Sequence, residues 1–345
     1  MIYEQIATGG CQSYLLGCSE TCAAVVIDPE ISQIDRYLGL AARDGLRIRY
    51  LIDTHTHADH FSATRELGRQ LGVPVVMHRE SPAPFVDMRL DDGDMIRVGH
   101  LHLCVIHTPG HTRDSMCIQV EDHLFTGDTL LFGGTGRTDL PTGDPEALYD
   151  SLFAGILRLD AALKVHPAHD YKGGVESTIG RELAENPRLQ KRDRAAFVDM
   201  MRSLNLSMPT HITEALRSNM SGGKTVAQLL AEAAAIVPFM SLAELKARVE
   251  ADQNLIVLDV RERDAYEKGH IPRAQLLPRG QLELRLNDDL PDPTKRIVAC
   301  CEFGRISTLA AATLRELGYQ RSVALDGGVK AWREAGYPLK SGSEP

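Results

Sequence analysis

The 345-residue chain lacks any apolar run near membrane-spanning length and has no charged-then-apolar leader after Met1. Neither a membrane anchor nor export is therefore expected. It also lacks a basic excess. Its 38 Lys and Arg against 47 Asp and Glu give a net charge of −9, the wrong sign for a protein that tracks a phosphate backbone. Seven cysteines make an odd set, which suits free thiols in a reducing compartment better than a disulfide framework. A hydrophobic content of 43% leaves no reason to expect disorder. These absences point to a cytoplasmic enzyme without nucleic-acid or membrane partners, long enough for two domains with separate cores. Whether it self-associates into a homo-oligomer stays open.

What the chain does have is a concentration of metal-ligating side chains. Ile48 to Ile52 reads as a strand and runs into Thr54-His55-Thr56-His57-Ala58-Asp59-His60. Strand alternation aims His55 and His57 to one side, and Asp59 and His60 turn back over the same spot. Neutral imidazole and carboxylate are donors for a divalent metal. A solvated polar loop is the alternative, and the residues downstream weigh against it. The strand Leu101 to Ile106 delivers Pro109-Gly110-His111-Thr112, and His123 to Phe125 ends in Thr126-Gly127-Asp128. Leu163 to Val165 leads into His166-Pro167-Ala168-His169-Asp170-Tyr171. Loops at one sheet edge can gather such residues from distant sequence. Cys11, Cys18 and Cys22 have no fourth partner at metal spacing and read as small buried strand residues. His100 and His102 alternate with Leu101 and Leu103 and read as surface groups. Helices are expected over 31–45, over 62–71 with Ser62 as N-cap, and over 146–159.

The composite His-x-His-x-Asp-His, Pro-Gly-His-Thr, Thr-Gly-Asp and late His resembles the metallo-β-lactamase superfamily over roughly residues 1–220. The resemblance implies an α/β fold, an αββα sandwich with its metal at the edge between two sheets. Hydrolases of that superfamily, the hydroxyacylglutathione hydrolases among them, hold two metals with all seven ligands, and all seven are present. The finer context of Phe125-Thr126-Gly127-Asp128-Thr129, Gly136-Arg137-Thr138-Asp139, Pro167-Ala168-His169-Asp170-Tyr171, Asn186-Pro187-Arg188 and Asn205-Leu206-x-x-Pro209 resembles the persulfide dioxygenases. That resemblance implies one Fe(II) on His55, His111 and Asp128. Two imidazoles and a carboxylate on one face of the ion leave positions for a substrate sulfur and O2. His57, Asp59, His60 and His169 would then orient the ligands through hydrogen bonds. Arg137 and Tyr171 match glutathione-contacting positions, where a guanidinium fork suits a carboxylate. The structural alternative for Arg137 is an ion pair with Asp139 or Asp144.

The pattern loosens between Ser218 and Met240, and a fresh alternation of helix and strand follows. The domains are expected to be 1–237 and 238–345. Asp259-Val260-Arg261, Gly269-His270-Ile271-Pro272, Cys301 and Gly327-Gly328-x-x-x-Trp332 resemble the rhodanese sulfurtransferases over roughly 238–342, implying a smaller α/β domain. Cys301-Glu302-Phe303-Gly304-Arg305-Ile306-Ser307 falls where that family has its catalytic loop. Backbone N–H groups of such a loop and the following helix N-terminus form an anion nest for a thiolate or persulfide. Cys301 and Arg305 are the expected catalytic pair, with Cys300 belonging to the strand before them. The family pattern has arginine immediately before the serine, whereas this chain has Ile306 there. A catalytically silent docking domain with a structural Cys301 is the alternative.

Together these resemblances imply oxidation of glutathione persulfide by O2 to sulfite and glutathione. The second domain would move sulfur between thiosulfate or sulfite and glutathione through a Cys301 persulfide. Covalent linkage would raise the effective concentration of a shared intermediate. The competing expectation is a hydroxyacylglutathione-type thioester hydrolase with two zinc or mixed metal ions, joined to the same second domain.

Overall fold

Tyr14-Leu15-Leu16 and Val25-Val26-Ile27 send successive apolar side chains to opposite faces of their strands, and this period of two builds a layered unit. In the computed structural model, residues 1–170, 173, 176–204, 206–207, 212–249, 251 and 254–344 are described. Strands β1 (Ile2–Thr8), β2 (Cys11–Gly17), β3 (Ala23–Ile27), β4 (Arg47–Ile52), β5 (Val75–His78) and β6 (Met88–Leu90) form one sheet in sequence order. It is antiparallel up to β3 and parallel beyond it. Strands β7 (Met95–Val98), β8 (Leu101–His107), β9 (Met116–Val120) and β10 (His123–Gly127) begin the second sheet. A small hairpin, β11 (Leu130–Leu131) and β12 (Gly134–Thr135), precedes β13 (Lys164–Pro167) and β14 (Ser177–Thr178). The second sheet runs β14-β13-β10-β9-β8-β7.

Tyr14, Leu16, Ile27, Leu103, Ile118 and Phe125 fill the space between the sheets. Leu15, Val26 and Leu51 face outward onto Tyr37, Ala41 and Leu67 of helices α1 (Ile34–Arg43) and α2 (Thr64–Leu71). Cys117 and Leu124 face Leu148, Ile179 and Phe197 of α3 (Pro145–Tyr149), α4 (Ile179–Glu185) and α5 (Arg194–Arg202). The αββα sandwich is therefore present. Phe125 is fully buried between the sheets. Phe125→Ala is expected to lower the unfolding free energy of this unit by about 3–5 kcal/mol in chemical denaturation.

Three expectations change. Helix α2 starts at Thr64 with Ala63 as its N-cap; the Ser62 hydroxyl donates to Asp53 at 2.9 and 2.8 Å, and its oxygen accepts from the Thr64 N–H at 3.1 Å. The helix expected over 146–159 ends as α3 at Tyr149, then widens into a π-helical segment (Asp150–Gly155) and a 3-10 turn (Ile156–Arg158). Gly155 leaves helical backbone at φ −105°, ψ −104°. The chain also divides earlier than residue 237, into compact units Met1–Gly223 and Lys224–Pro345. Helix α6 (Ile212–Ser221) belongs to the first unit, and α7 (Val226–Ile236) to the second. The reason is burial: Ala233 of α7 and Val237 just beyond it lie in one cluster with Ala310 and Leu314.

The second unit continues with β15 (Phe239–Met240), α8 (Leu242–Val249), β16 (Leu255–Asp259), α9 (Arg263–Lys268), β17 (Ala274–Leu276) and α10 (Leu282–Asp289). It closes with β18 (Arg296–Cys300), α11 (Arg305–Glu316), β19 (Ser322–Leu325) and α12 (Gly328–Glu334). Its sheet, in order β15-β19-β18-β16-β17, is parallel throughout. Helices cover both faces, as the near-continuous apolar strands require. Along β18, Ile297 and Ala299 pack with α10 and α11, while Val298 and Cys300 pack with Leu245 and Trp332 on the other side. Among the described residues no helix is long and apolar enough to cross a membrane.

Candidate metal centre and sulfur-transfer loop

The parallel strand β4 ends at Ile52, and the chain beyond it is held by side chains as well as by main chain. Asp28, at the end of β3, accepts from the Thr54 N–H at 2.7 Å and from the Thr54 hydroxyl at 2.8 Å. That hydroxyl has spent its proton, so the 3.0 Å contact with His55 Nδ1 makes His55 the donor. His55 Nε2 is then the lone-pair nitrogen, and it is buried without a hydrogen-bond partner. Burial, then the neighbouring His57 ring, lowers the His55 pKa to about 3. A neutral imidazole is the form that binds a metal.

His111, just past β8, is oriented in the same way. Its Nδ1 donates to the Arg137 carbonyl at 2.8 Å, which leaves Nε2 as the acceptor nitrogen. That nitrogen lies 3.5 Å from Asp128 Oδ2 at the end of β10. Gly136 permits the approach, since a Cβ there would sit 2.1 Å from the Asp128 carbonyl. Donor atoms of His55, His111 and Asp128 all lie within 4.8 Å of one another, and all three residues are buried. An orphaned imidazole nitrogen, a second imidazole with matching tautomer and a carboxylate fit a divalent ion with two nitrogen and one oxygen ligand.

The remaining residues of the histidine-rich loop do different things. His169 holds Asp128 Oδ1 at 2.6 Å through Nδ1 and contacts Asp59 through Nε2. Burial resists charge on His169, but these carboxylates outweigh it and raise its pKa well above the usual value. His60 Nδ1 lies 3.5 Å from Asp59 Oδ1. The His57 ring lies against His55, tilted by 55° with centroids 4.1 Å apart, yet its Nε2 faces away, 3.1 Å from Asp28 and 3.8 Å from Asp53. The Arg137 guanidinium forms a bidentate pair with Asp139 at 2.6 and 2.7 Å and donates to the Ser207 carbonyl at 2.8 Å. Its backbone carbonyl, not its charge, is what touches a candidate ligand. Tyr171, Asn205 and Pro209 lie outside the described residues.

Cys11 differs from expectation. It is half-buried at the start of β2, with Sγ 3.5 Å from His169 Nε2 and 3.7 Å from Asp59 Oδ2. With Asp59, His60 and His169 it makes a second group of metal-donor atoms within 4.8 Å. Cys22 is exposed, not buried. The sequence reading also missed Asn219 of α6, a buried residue. Its amide donates to the carbonyls of His57 and His60 at 2.9 Å each and accepts from the Ser62 N–H at 3.1 Å. Asn219→Ala would leave three loop groups unpaired, at about 1–3 kcal/mol for each buried one. Metal affinity is expected to fall roughly 10–100-fold, as when other partners that orient ligands are removed; competition with a chelator measures it.

In the second unit Cys301 follows β18 at the mouth of α11. Its Sγ accepts from the Ser307 N–H at 3.3 Å and lies 3.4 Å from the Ser307 hydroxyl. Val329 N–H donates to the Cys301 carbonyl at 2.8 Å, and only glycine fits at 328, because a Cβ there would meet that carbonyl at 2.3 Å. Glu302 is pinned by Arg261 at 3.0 Å and Arg333 at 2.6 Å, and Arg261 is itself anchored on Asp259 at 2.7 Å. The Asp259-Val260-Arg261 motif thus braces the loop. Cys300 turns into the core, where burial pushes its thiol pKa well up. His270 stacks on Tyr266 at 3.8 Å and hydrogen-bonds main chain on both sides, a scaffold role.

Known proteins match both halves. The metallo-beta-lactamase superfamily model matches residues 7–169, and the rhodanese-like domain model matches residues 241–335. The persulfide dioxygenase ETHE1 of Homo sapiens is 40% identical over 214 residues, covering 61% of this chain and 84% of the human protein. A hydroxyacylglutathione hydrolase of Anaeromyxobacter dehalogenans is 39% identical over 160 residues, 46% of this chain and 61% of that one. The crystal structure of ETHE1 from Myxococcus xanthus aligns with a TM-score of 0.63 at 38% identity, covering 65% of this chain and 100% of that chain. Fold and clusters together define a metallo-β-lactamase unit followed by a rhodanese-like unit. Within that superfamily, the chain belongs to the persulfide dioxygenase family.

Proposed function

We propose that the first unit oxidises glutathione persulfide with O2 to sulfite and glutathione at one Fe(II) held by His55, His111 and Asp128. The second unit moves sulfane sulfur between thiosulfate or sulfite and glutathione through a persulfide on Cys301. The observation that carries the first half is the matched pair of imidazole tautomers. The Thr54 oxygen accepts from His55 Nδ1–H and the Arg137 carbonyl accepts from His111 Nδ1–H, so two Nε2 lone pairs are left for the site that the Asp128 carboxylate shares. A ferrous ion on such a triad supplies open positions for a substrate sulfur and O2.

The chain's own residues set the geometry around that triad. His169 holds one Asp128 oxygen and leaves the other toward His111. Asp59 and His60 flank it, and His57 braces the loop against Asp28 and Asp53. Tyr171, and an Arg137 fork shared with Asp139, are the proposed contacts for glutathione carboxylates. Arg305 is proposed to steer the anionic sulfur acceptor toward Cys301. In the overall reaction one O2 and one water supply the three oxygens of sulfite, and the sulfane sulfur is the group oxidised.

The group Cys11, Asp59, His60 and His169 favours a second reading, because it offers donors for another ion. That reading is a binuclear thioester hydrolase of the hydroxyacylglutathione type. Metal analysis of anaerobically purified protein, with paired assays, separates the two. One iron per chain, with O2 uptake on glutathione persulfide, is expected. Two zinc ions per chain, with acylglutathione hydrolysis and no O2 uptake, would overturn the oxygenase.

A further inference from the structure

The pocket beside Cys301 is apolar where a small-anion site would be cationic. A cavity of about 340 Å³ opens on the loop, lined by Val226, Leu230, Phe303, Ile306 and Leu309 together with Cys301, Glu302 and Arg305. Val226 and Leu230 come from α7, which lies outside both matched regions, 7–169 and 241–335. That helix is firmly placed. Thr225 and Gln228 form a reciprocal capping box at 3.1 and 2.9 Å, and Ala233 is buried in the unit's core. Phe303 and Ile306 are 64% and 50% exposed, so two large apolar side chains stand in water beside the sulfur. The Glu302 carboxylate is already paired with Arg261 and Arg333. Thiosulfate, a compact dianion, would enter against one lining guanidinium, Arg305, and lose water to a hydrocarbon wall that returns no hydrogen bonds. A carbon body would gain from covering the same surface.

We propose that α7, Phe303 and Ile306 form the specificity wall of the sulfur pocket, selecting an organic persulfide as donor over thiosulfate. This rests on Cys301 being the sulfur carrier. The Cys301 thiolate attacks the outer sulfur of R–S–SH, and the bond between the two sulfurs breaks. R–S⁻ leaves with the proton as a thiol, and the outer sulfur stays on Cys301 as a persulfide anion. Sulfite can then remove that sulfur as thiosulfate and restore the thiolate. No external oxidant or reductant enters.

The test is single-turnover loading of the full chain with glutathione persulfide, butyl persulfide or thiosulfate, followed by trapping and mass analysis of the Cys301 peptide. Both organic persulfides are expected to load roughly tenfold or more faster than thiosulfate, the discrimination one apolar pocket can give. Ile306→Arg, at an exposed position, should speed thiosulfate and slow the persulfides; Leu230→Lys should slow the persulfides alone. An unchanged donor ratio in both variants overturns the wall, as does wild-type preference for thiosulfate. Loading by glutathione persulfide without butyl persulfide would also overturn it, since the pocket would then be reading polar groups. Cys301→Ser tells the two readings apart. If it sustains wild-type turnover with every donor, the carrier assignment falls. Turnover that needs Cys301 but shows no donor preference removes only the wall.

Discussion

Asp128→Ala is expected to abolish bound iron and O2 uptake on glutathione persulfide together. One Asp128 oxygen lies 3.5 Å from His111 Nε2, and the other is held at 2.6 Å by His169. Removing it takes away the only carboxylate of the proposed triad and one of the carboxylates that hold His169. The loss should exceed the roughly 10–100-fold typical of partners that only orient a ligand. Asp128→Asn keeps the shape but not the charge, and should retain the fold while still losing most of the iron. Iron per chain after anaerobic purification, O2 electrode rates and thermal unfolding read the three effects separately. If the alanine variant keeps full iron and full O2 uptake, Asp128 is not a ligand and the triad must be redrawn. Loss of O2 uptake with iron retained would instead give Asp128 a part in handling substrate.

The residues of that triad were legible because ligand chemistry writes itself in residue type. Histidine and aspartate at strand ends are informative whatever the packing, and His55, His111 and Asp128 do come together. Their supports were not legible. Asp28 carries no ligand pattern around it in the sequence, yet it ties down Thr54 and faces His57. Asn219, more than 150 residues beyond the loop it clamps, carries no local signal, since a single buried amide has no period and no spacing. Ser62 reads as a helix cap because a serine before an apolar repeat usually is one; its oxygen does accept from the Thr64 N–H, but the helix begins one residue later, and its proton goes to a buried carboxylate, Asp53, that no local pattern announces. Cys11 was misjudged for a similar reason. It groups with Asp59, His60 and His169, all distant in sequence, and the β-bridge that sets His169 beside it exists only in three dimensions. The domain boundary was placed late because α7 is Ala-rich and weakly patterned, so nothing in its sequence says which core takes Ala233. By contrast, Cys300 and Cys301 are separable in the sequence, because counting back from Ser307 puts Cys301 at the start of the loop, and Cys300 is indeed the last residue of β18.

Cys301→Ser is expected to abolish sulfur transfer between thiosulfate and glutathione while leaving O2 uptake on added glutathione persulfide near wild type. The argument is chemical. A serine hydroxyl is a weak nucleophile without an adjacent base and cannot carry sulfane sulfur, whereas the thiolate can. The loop around it is built from main chain: Ser307 N–H points at the sulfur, and Val329 and Lys330 N–H groups hold the carbonyls of Cys301 and Glu302 at 2.8 and 3.0 Å. A serine fits this frame, so the variant should fold, and its unfolding midpoint should move little. Arg261→Ala provides the contrast. It removes the brace on Glu302 and the partner of a fully buried Asp259, a loss of about 3–5 kcal/mol for a broken buried pair, so transfer should fall through loop disorder and stability together. If Cys301→Ser transfers sulfur at the wild-type rate, Cys301 is a packing residue, and the second unit serves docking, not catalysis. If O2 uptake falls with it while iron content and stability hold, persulfide oxidation draws on the second unit's sulfur chemistry, and the two activities are not separable.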